Sequence, residues 1–125
     1  MAIGLDHTIV YANDAEASAR WLTDLFALSE PIYFANFWVV KTANGVNLDF
    51  RDTDGKVASQ HYAFLVGDDE FDAIFGRITD RELPHWADSN QTHPDRINHR
   101  EGGRGVYFES PDGHLLEIIT RSYGS

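Results

Sequence analysis

The chain has 125 residues, 42% of them hydrophobic, no cysteine and a formal net charge of −10. That length suits a single domain, 1–125, with a real core, and the missing cysteines exclude disulfides, thiolate metal sites and cysteine nucleophiles. The acidity opposes binding to nucleic acid or anionic membranes, and no apolar run approaches the roughly 20 residues that span a bilayer. The start also lacks the basic and apolar regions of a signal peptide, so the expectation is a cytoplasmic protein with neither nucleic-acid nor membrane partners.

Residues 3–12 are apolar and β-branched enough for a buried strand. Asn13 then offers a helix cap, with Glu16 as its capping-box partner. Trp21, Leu22, Leu25, Phe26 and Leu28 follow at helical spacing and give residues 14–28 a core face. Pro31 punctuates, residues 32–34 and 37–41 read as strands, and Asn44-Gly45 is a hairpin signal from which 46–51 returns. The first module, 1–52, is therefore β-α-β-β-β.

A second module, 60–121, repeats that order. Residues 60–66 form a strand, Asp68 or Asp69 caps a helix, and Phe71, Ile74, Phe75 and Ile78 make its apolar stripe. Between Pro84 and Gly103 the chain is polar, with room for one weak strand and for an insertion that is either a functional lid or a disordered or decorative loop. Residues 104–109 and 114–120 are strands joined by the turn Ser110-Pro111-Asp112-Gly113.

The repeat extends to the chemistry. His7 opens the first module and Asp49 closes it, four residues after a turn glycine; His61 and Glu117 do the same in the second. A carboxylate within Leu115-Leu116-Glu117-Ile118-Ile119 needs a metal cation, an arginine or a shifted pKa, because burying an unpaired charge costs several kcal/mol, of the order a partner must return. A lone histidine on an apolar strand is more often a hydrogen-bonded core residue. The same histidine and carboxylate in both halves favour a divalent-metal site instead. His114, just after a turn glycine, reads as a rim residue.

With these residues in place, the chain resembles the vicinal oxygen chelate superfamily, which includes glyoxalase I, fosfomycin-resistance transferases, extradiol dioxygenases and bleomycin-resistance proteins. The resemblance runs from Gly4-Leu5-Asp6-His7 to Leu116-Glu117-Ile118 and is most specific over 105–117. It implies an α+β glyoxalase-like fold: paired βαβββ modules curling into a cup-like mixed sheet, completed in a homodimer. It further implies His7, His61 and Glu117 as metal ligands, with Asp49 at the fourth position, where glyoxalase I carries a glutamate.

The function expected from that resemblance is an enzyme holding Mn, Fe, Co, Ni or Zn and chelating vicinal oxygens of a small substrate, as an isomerase, lyase, thiol transferase or ring-cleaving dioxygenase. Glu117 and Asp49 are the candidate catalytic carboxylates. Trp38, Phe50, Trp86, Arg104 and Tyr107 are the candidate substrate contacts. The alternative is a drug- or metabolite-sequestering protein of the bleomycin-resistance type.

Overall fold

The computed structural model describes residues 2–123. Its contacts divide the chain into two units, Met1–Ala58 and Ser59–Ser125. Each unit is a four-stranded mixed sheet with one helix, so the fold is α+β.

In the first unit the elements run β1 (His7–Ala12), α1 (Ala15–Phe26), β2 (Ile32–Phe34), β3 (Phe37–Lys41) and β4 (Asn47–Asp52), with sheet order β1-β4-β3-β2. Strand β1 is shorter than the apolar run beginning at Ile3, because its partner β4 starts only at Asn47 and leaves Ile3 and Leu5 exposed. The β1–β4 pairing is parallel and both hairpin pairings are antiparallel. Alternation then divides the sheet into two faces. Val10, Ala12, Val40, Leu48 and Phe50 are buried with the Ala15, Ala19, Leu22 and Leu25 stripe of α1.

The cap of α1 differs from the sequence expectation. Asp14, not Asn13, is the N-cap, its carboxylate accepting from Ala17 N at 3.1 Å. Asp52 Oδ1 accepts from Ala15 N at 2.7 Å, so two acidic side chains satisfy donors at the positive end of the helix. Asn13 instead donates its amide to the carbonyls of Thr53 and Gly55, at 3.0 and 2.8 Å, and ties down the chain leaving β4. An ionised carboxylate can only accept, which suits the helix donors, whereas the Asn13 amide can donate to the two carbonyls.

The second unit runs β5 (His61–Leu65), α2 (Asp68–Asp80), β6 (His85–Trp86), β7 (Gly105–Glu109) and β8 (Leu115–Ile119), with sheet order β5-β8-β7-β6. Here β5 and β8 pair in parallel. Phe71, Ile74 and Ile78 of α2 are buried, as are Val106, Phe108, Leu116 and Ile118 on the alternate positions of β7 and β8. Gly67, rather than Asp68 or Asp69, is the N-cap, and its N–H donates to Glu70 Oε1 at 2.9 Å.

The polar stretch before β7 is pinned to the sheet. Asn98 and Gly105 exchange backbone hydrogen bonds of 2.8 and 3.0 Å, and Asn98 Nδ2 donates to Ala87 O. A Cβ on Gly105 would lie 2.9 Å from Asn98 Oδ1, so a side chain there would push the Asn98 amide out of place. A single 3-10 turn, Arg100–Gly102, follows, and it carries Arg100.

Candidate metal centre

Equivalent positions in the two sheets hold the repeated residues. Asp49 is flanked in register by Ile9 and Val39, and His7 lies beside Asn47. Glu117 is flanked in register by Ala63 and Tyr107, and His61 lies beside Leu115. In each unit the histidine stands two residues before the neighbour of the carboxylate. The two therefore share the face that the helix does not cover.

The second unit brings its pair into contact. His61 Nε2 is 3.2 Å from Glu117 Oε1, while His61 Nδ1 is 2.9 Å from the Leu115 carbonyl. A carbonyl only accepts, so Nδ1 carries a proton, and whenever the ring is neutral Nε2 turns a lone pair toward the carboxylate. Two acceptors facing each other need a proton or a cation between them. Adjacent ligands at about 2.1 Å from one ion stand roughly 3.0–3.4 Å apart, so the spacing matches that of a chelating pair.

Glu117 is 0% exposed despite lying on the uncovered face. The Tyr123 hydroxyl reaches both its oxygens, at 2.8 and 2.6 Å, and Arg100 Nη1 lies 3.9 Å from Oε2. Tyr107, next to Glu117 in the sheet, stacks on His61 with ring centroids 5.9 Å apart. Burial, and then the hydrogen bond to Glu117, hold the Tyr123 phenol well above its ordinary range and keep it a donor.

His7 is prepared in the same way. Its Nδ1 is 2.7 Å from Asp6 Oδ2, a carboxylate that must accept, which leaves Nε2 unprotonated in the neutral ring. That hydrogen bond, with the charge of Asp49 adding to it, raises the imidazole above its usual pKa. His7 and Asp49 line a groove of about 490 Å³ with Ile32, Phe34, Val39 and Lys41. Among the described residues no three His, Asp or Glu side chains gather into one cluster. Each unit thus presents one imidazole and one carboxylate.

The expected substrate contacts divide. Trp86 is in register with Tyr107, so Trp86, Tyr107 and Glu117 form one row on the uncovered face. Phe50 is 5% exposed on the helix-covered face, and Trp38, paired with it, lies under the Arg20 guanidinium at 5.4 Å. Arg104 turns to α2, donating to Asp72 at 2.6 Å and Asp68 at 3.1 Å and covering the Phe71 ring. These three are not gathered with the histidines and carboxylates. His114, expected at the rim, is buried, because its Nδ1 accepts from Gln60 N at 3.1 Å and its ring meets Tyr62 edge-on.

Arg100 and Tyr123 escaped the sequence reading. One sits in an aperiodic loop and the other beyond the last strand, so neither carries a periodic signal. The sole cue was Glu117 itself, a buried carboxylate that needed donors.

No family model matches the chain. It is 56% identical to the oxidase ChaP-H1, with a TM-score of 0.96, over 99% of this chain and 100% of that one. Metallothiol transferase FosB of Lysinibacillus sphaericus (strain C3-41) is 23% identical over 93% of this chain and 81% of its own length. Fosfomycin resistance protein FosX of Listeria monocytogenes, solved with Mn(II) and 1S,2S-dihydroxypropylphosphonic acid, shares the fold at 22% identity. Its TM-score is 0.72, over 98% of this chain and 95% of that one. The protein belongs to the vicinal oxygen chelate superfamily.

Proposed function

We propose that this protein is a divalent-metal-dependent oxidase that engages a small substrate through two neighbouring oxygens. His7, His61 and Glu117 would supply the ion's protein ligands, with Asp49 as the candidate fourth. The observation that carries the reading is the His61–Glu117 pair: an imidazole Nε2 and a carboxylate oxygen 3.2 Å apart, with the other ring nitrogen already committed to a carbonyl. The 56% identity to an oxidase favours oxidation over the thiol transfer of the more distant FosB. The donor set, imidazole nitrogen with carboxylate oxygen, suits Mn, Fe, Co, Ni or Zn.

When bound, such an ion supplies Lewis acidity to the substrate oxygens. The chain's own residues do the rest. Asp6 and the Leu115 carbonyl fix the two imidazoles in the tautomer that leaves Nε2 unprotonated. Trp86, half-buried in the row with Tyr107 and Glu117, offers the aromatic surface against which a substrate is held and water displaced. Asp49, half-buried in the groove with His7, is the carboxylate proposed to take a proton from a substrate hydroxyl. A homodimer is the assembly proposed to complete the ligand set.

Metal analysis of the purified protein, paired with oxygen uptake on vicinal dihydroxy and hydroxy-keto compounds, tests the proposal. The expected result is one ion per chain, lost in His61→Ala and Glu117→Ala, with metal-dependent oxygen consumption. Metal-free wild-type protein that still binds an aromatic ligand would overturn it in favour of sequestration. A monomeric mass by light scattering would remove the homodimer.

A further inference from the structure

We propose that Tyr123 and Arg100 are positioning residues that set the Glu117 carboxylate for the ion, acting through a polarised chain of hydrogen bonds. The inference rests on the metal-binding reading above. Arg100 Nη1 is 2.6 Å from the Tyr107 hydroxyl, the two tyrosine hydroxyls are 2.9 Å apart, and Tyr123 reaches Glu117 at 2.6 and 2.8 Å. A guanidinium only donates and a carboxylate only accepts, so both ends of the chain have fixed polarity. Tyr107 must accept from Arg100 and pass its proton to Tyr123, whose own proton goes to Glu117.

Such a chain polarises link by link toward the carboxylate. Its positive end lies close to the carboxylate as well, at 3.9 Å, over the rings of Tyr107 and Tyr123. Tyr123 approaches closest at Oε2, while Oε1 is the oxygen turned to His61. Tyr123 thus holds the carboxylate across both oxygens, with Oε1 also presented beside the imidazole.

The fold commits resources to this chain. Arg100 is carried on a turn whose Glu101 and Gly102 both have positive φ, 55° and 75°. That turn is docked by the close Asn98–Gly105 contact described above. The equivalent position to Tyr107 in the first unit is Val39, which has no hydroxyl to relay, so the device belongs to the Glu117 half alone.

The test is titration of the metal-stripped full chain with Mn(II), followed by the electron paramagnetic resonance of the free ion. Visible absorption of the Co(II) form gives a second readout. Tyr123→Phe is expected to weaken Mn(II) binding about 10- to 100-fold, the usual cost of losing a partner that orients a ligand. Arg100→Gln is expected to weaken it less, and the double variant little more than Tyr123→Phe alone. The Co(II) spectrum should shift in each, which a purely structural role would not produce, and unchanged melting temperatures would exclude unfolding. Wild-type affinity and spectrum in Tyr123→Phe would overturn the proposal. So would tighter binding, which would mean that Tyr123 competes with the ion. If the wild type binds neither ion, the metal reading itself fails and takes this inference with it.

Discussion

The two units place the same residue pair at the same register and surround it in opposite ways. Asp49 lies half-exposed in an apolar groove between Ile9 and Val39, whereas Glu117 is sealed beneath Tyr123 and Arg100 beside Tyr107. Both histidines have Nδ1 anchored, but His7 by an exposed aspartate and His61 by a strand carbonyl. A repeated scaffold fixes where side chains point, and the neighbouring strand decides what they can do. One half keeps a carboxylate accessible; the other locks one in place.

The largest effect expected from this contrast is on metal binding. Glu117→Ala should weaken Mn(II) binding by more than about 100-fold, beyond the usual cost of losing an orienting partner, with Asp49→Ala within about 10-fold of wild type. Equal losses in the two titrations would break the asymmetry. Next comes stability. Phe50→Ala should cost about 3–5 kcal/mol in denaturant unfolding, since its ring is buried on the helix face, and leave metal occupancy unchanged. A Phe50 variant of normal stability but altered metal content would move that residue to the other face.

The helix caps give a smaller contrast. Asp14→Ala should cost about 1 kcal/mol, because its side chain caps α1 directly, while Glu70→Ala, which removes one acceptor from a glycine cap, should cost a few tenths. Equal midpoint shifts would contradict this. The smallest effect is confined to the stretch between β6 and β7, which has no equivalent in the first unit. Hydrogen bonds from Thr92 and His93 hold the Asp88 carboxyl down to about 2, below its ordinary 3.8. A lowered carboxyl pKa stabilises the folded turn above pH about 4 and loses that contribution as pH falls through about 2. Faster amide exchange at Thr92 and His93 should appear across that window and be absent in Asp88→Asn, which lacks the titration.

The strand and helix order was legible because each element has its own period. Phe71, Ile74 and Ile78 mark one helical face, and Leu116 and Ile118 alternate with Glu117 along β8. The caps slipped by a residue or more because Asn13, Asp14 and Asp68 all have cap chemistry, and only the path of the backbone selects among neighbours. Trp38, Phe50 and Arg104 are expected as pocket residues from their placement on inner strands or at the end of the long loop. Strand parity puts the first two on the face α1 covers, and two aspartates on α2 claim the third.

By itself the sequence determined the two β-α-β-β-β units and the placement of His7, Asp49, His61 and Glu117 at repeated positions, since periodicity and turn chemistry are local properties. Only the tertiary structure decided that Glu117 is buried and that Arg100, Tyr107 and Tyr123 converge on it. That convergence joins a loop, a strand and a tail through hydrogen bonds whose partners are set by folding. No spacing along the chain encodes it.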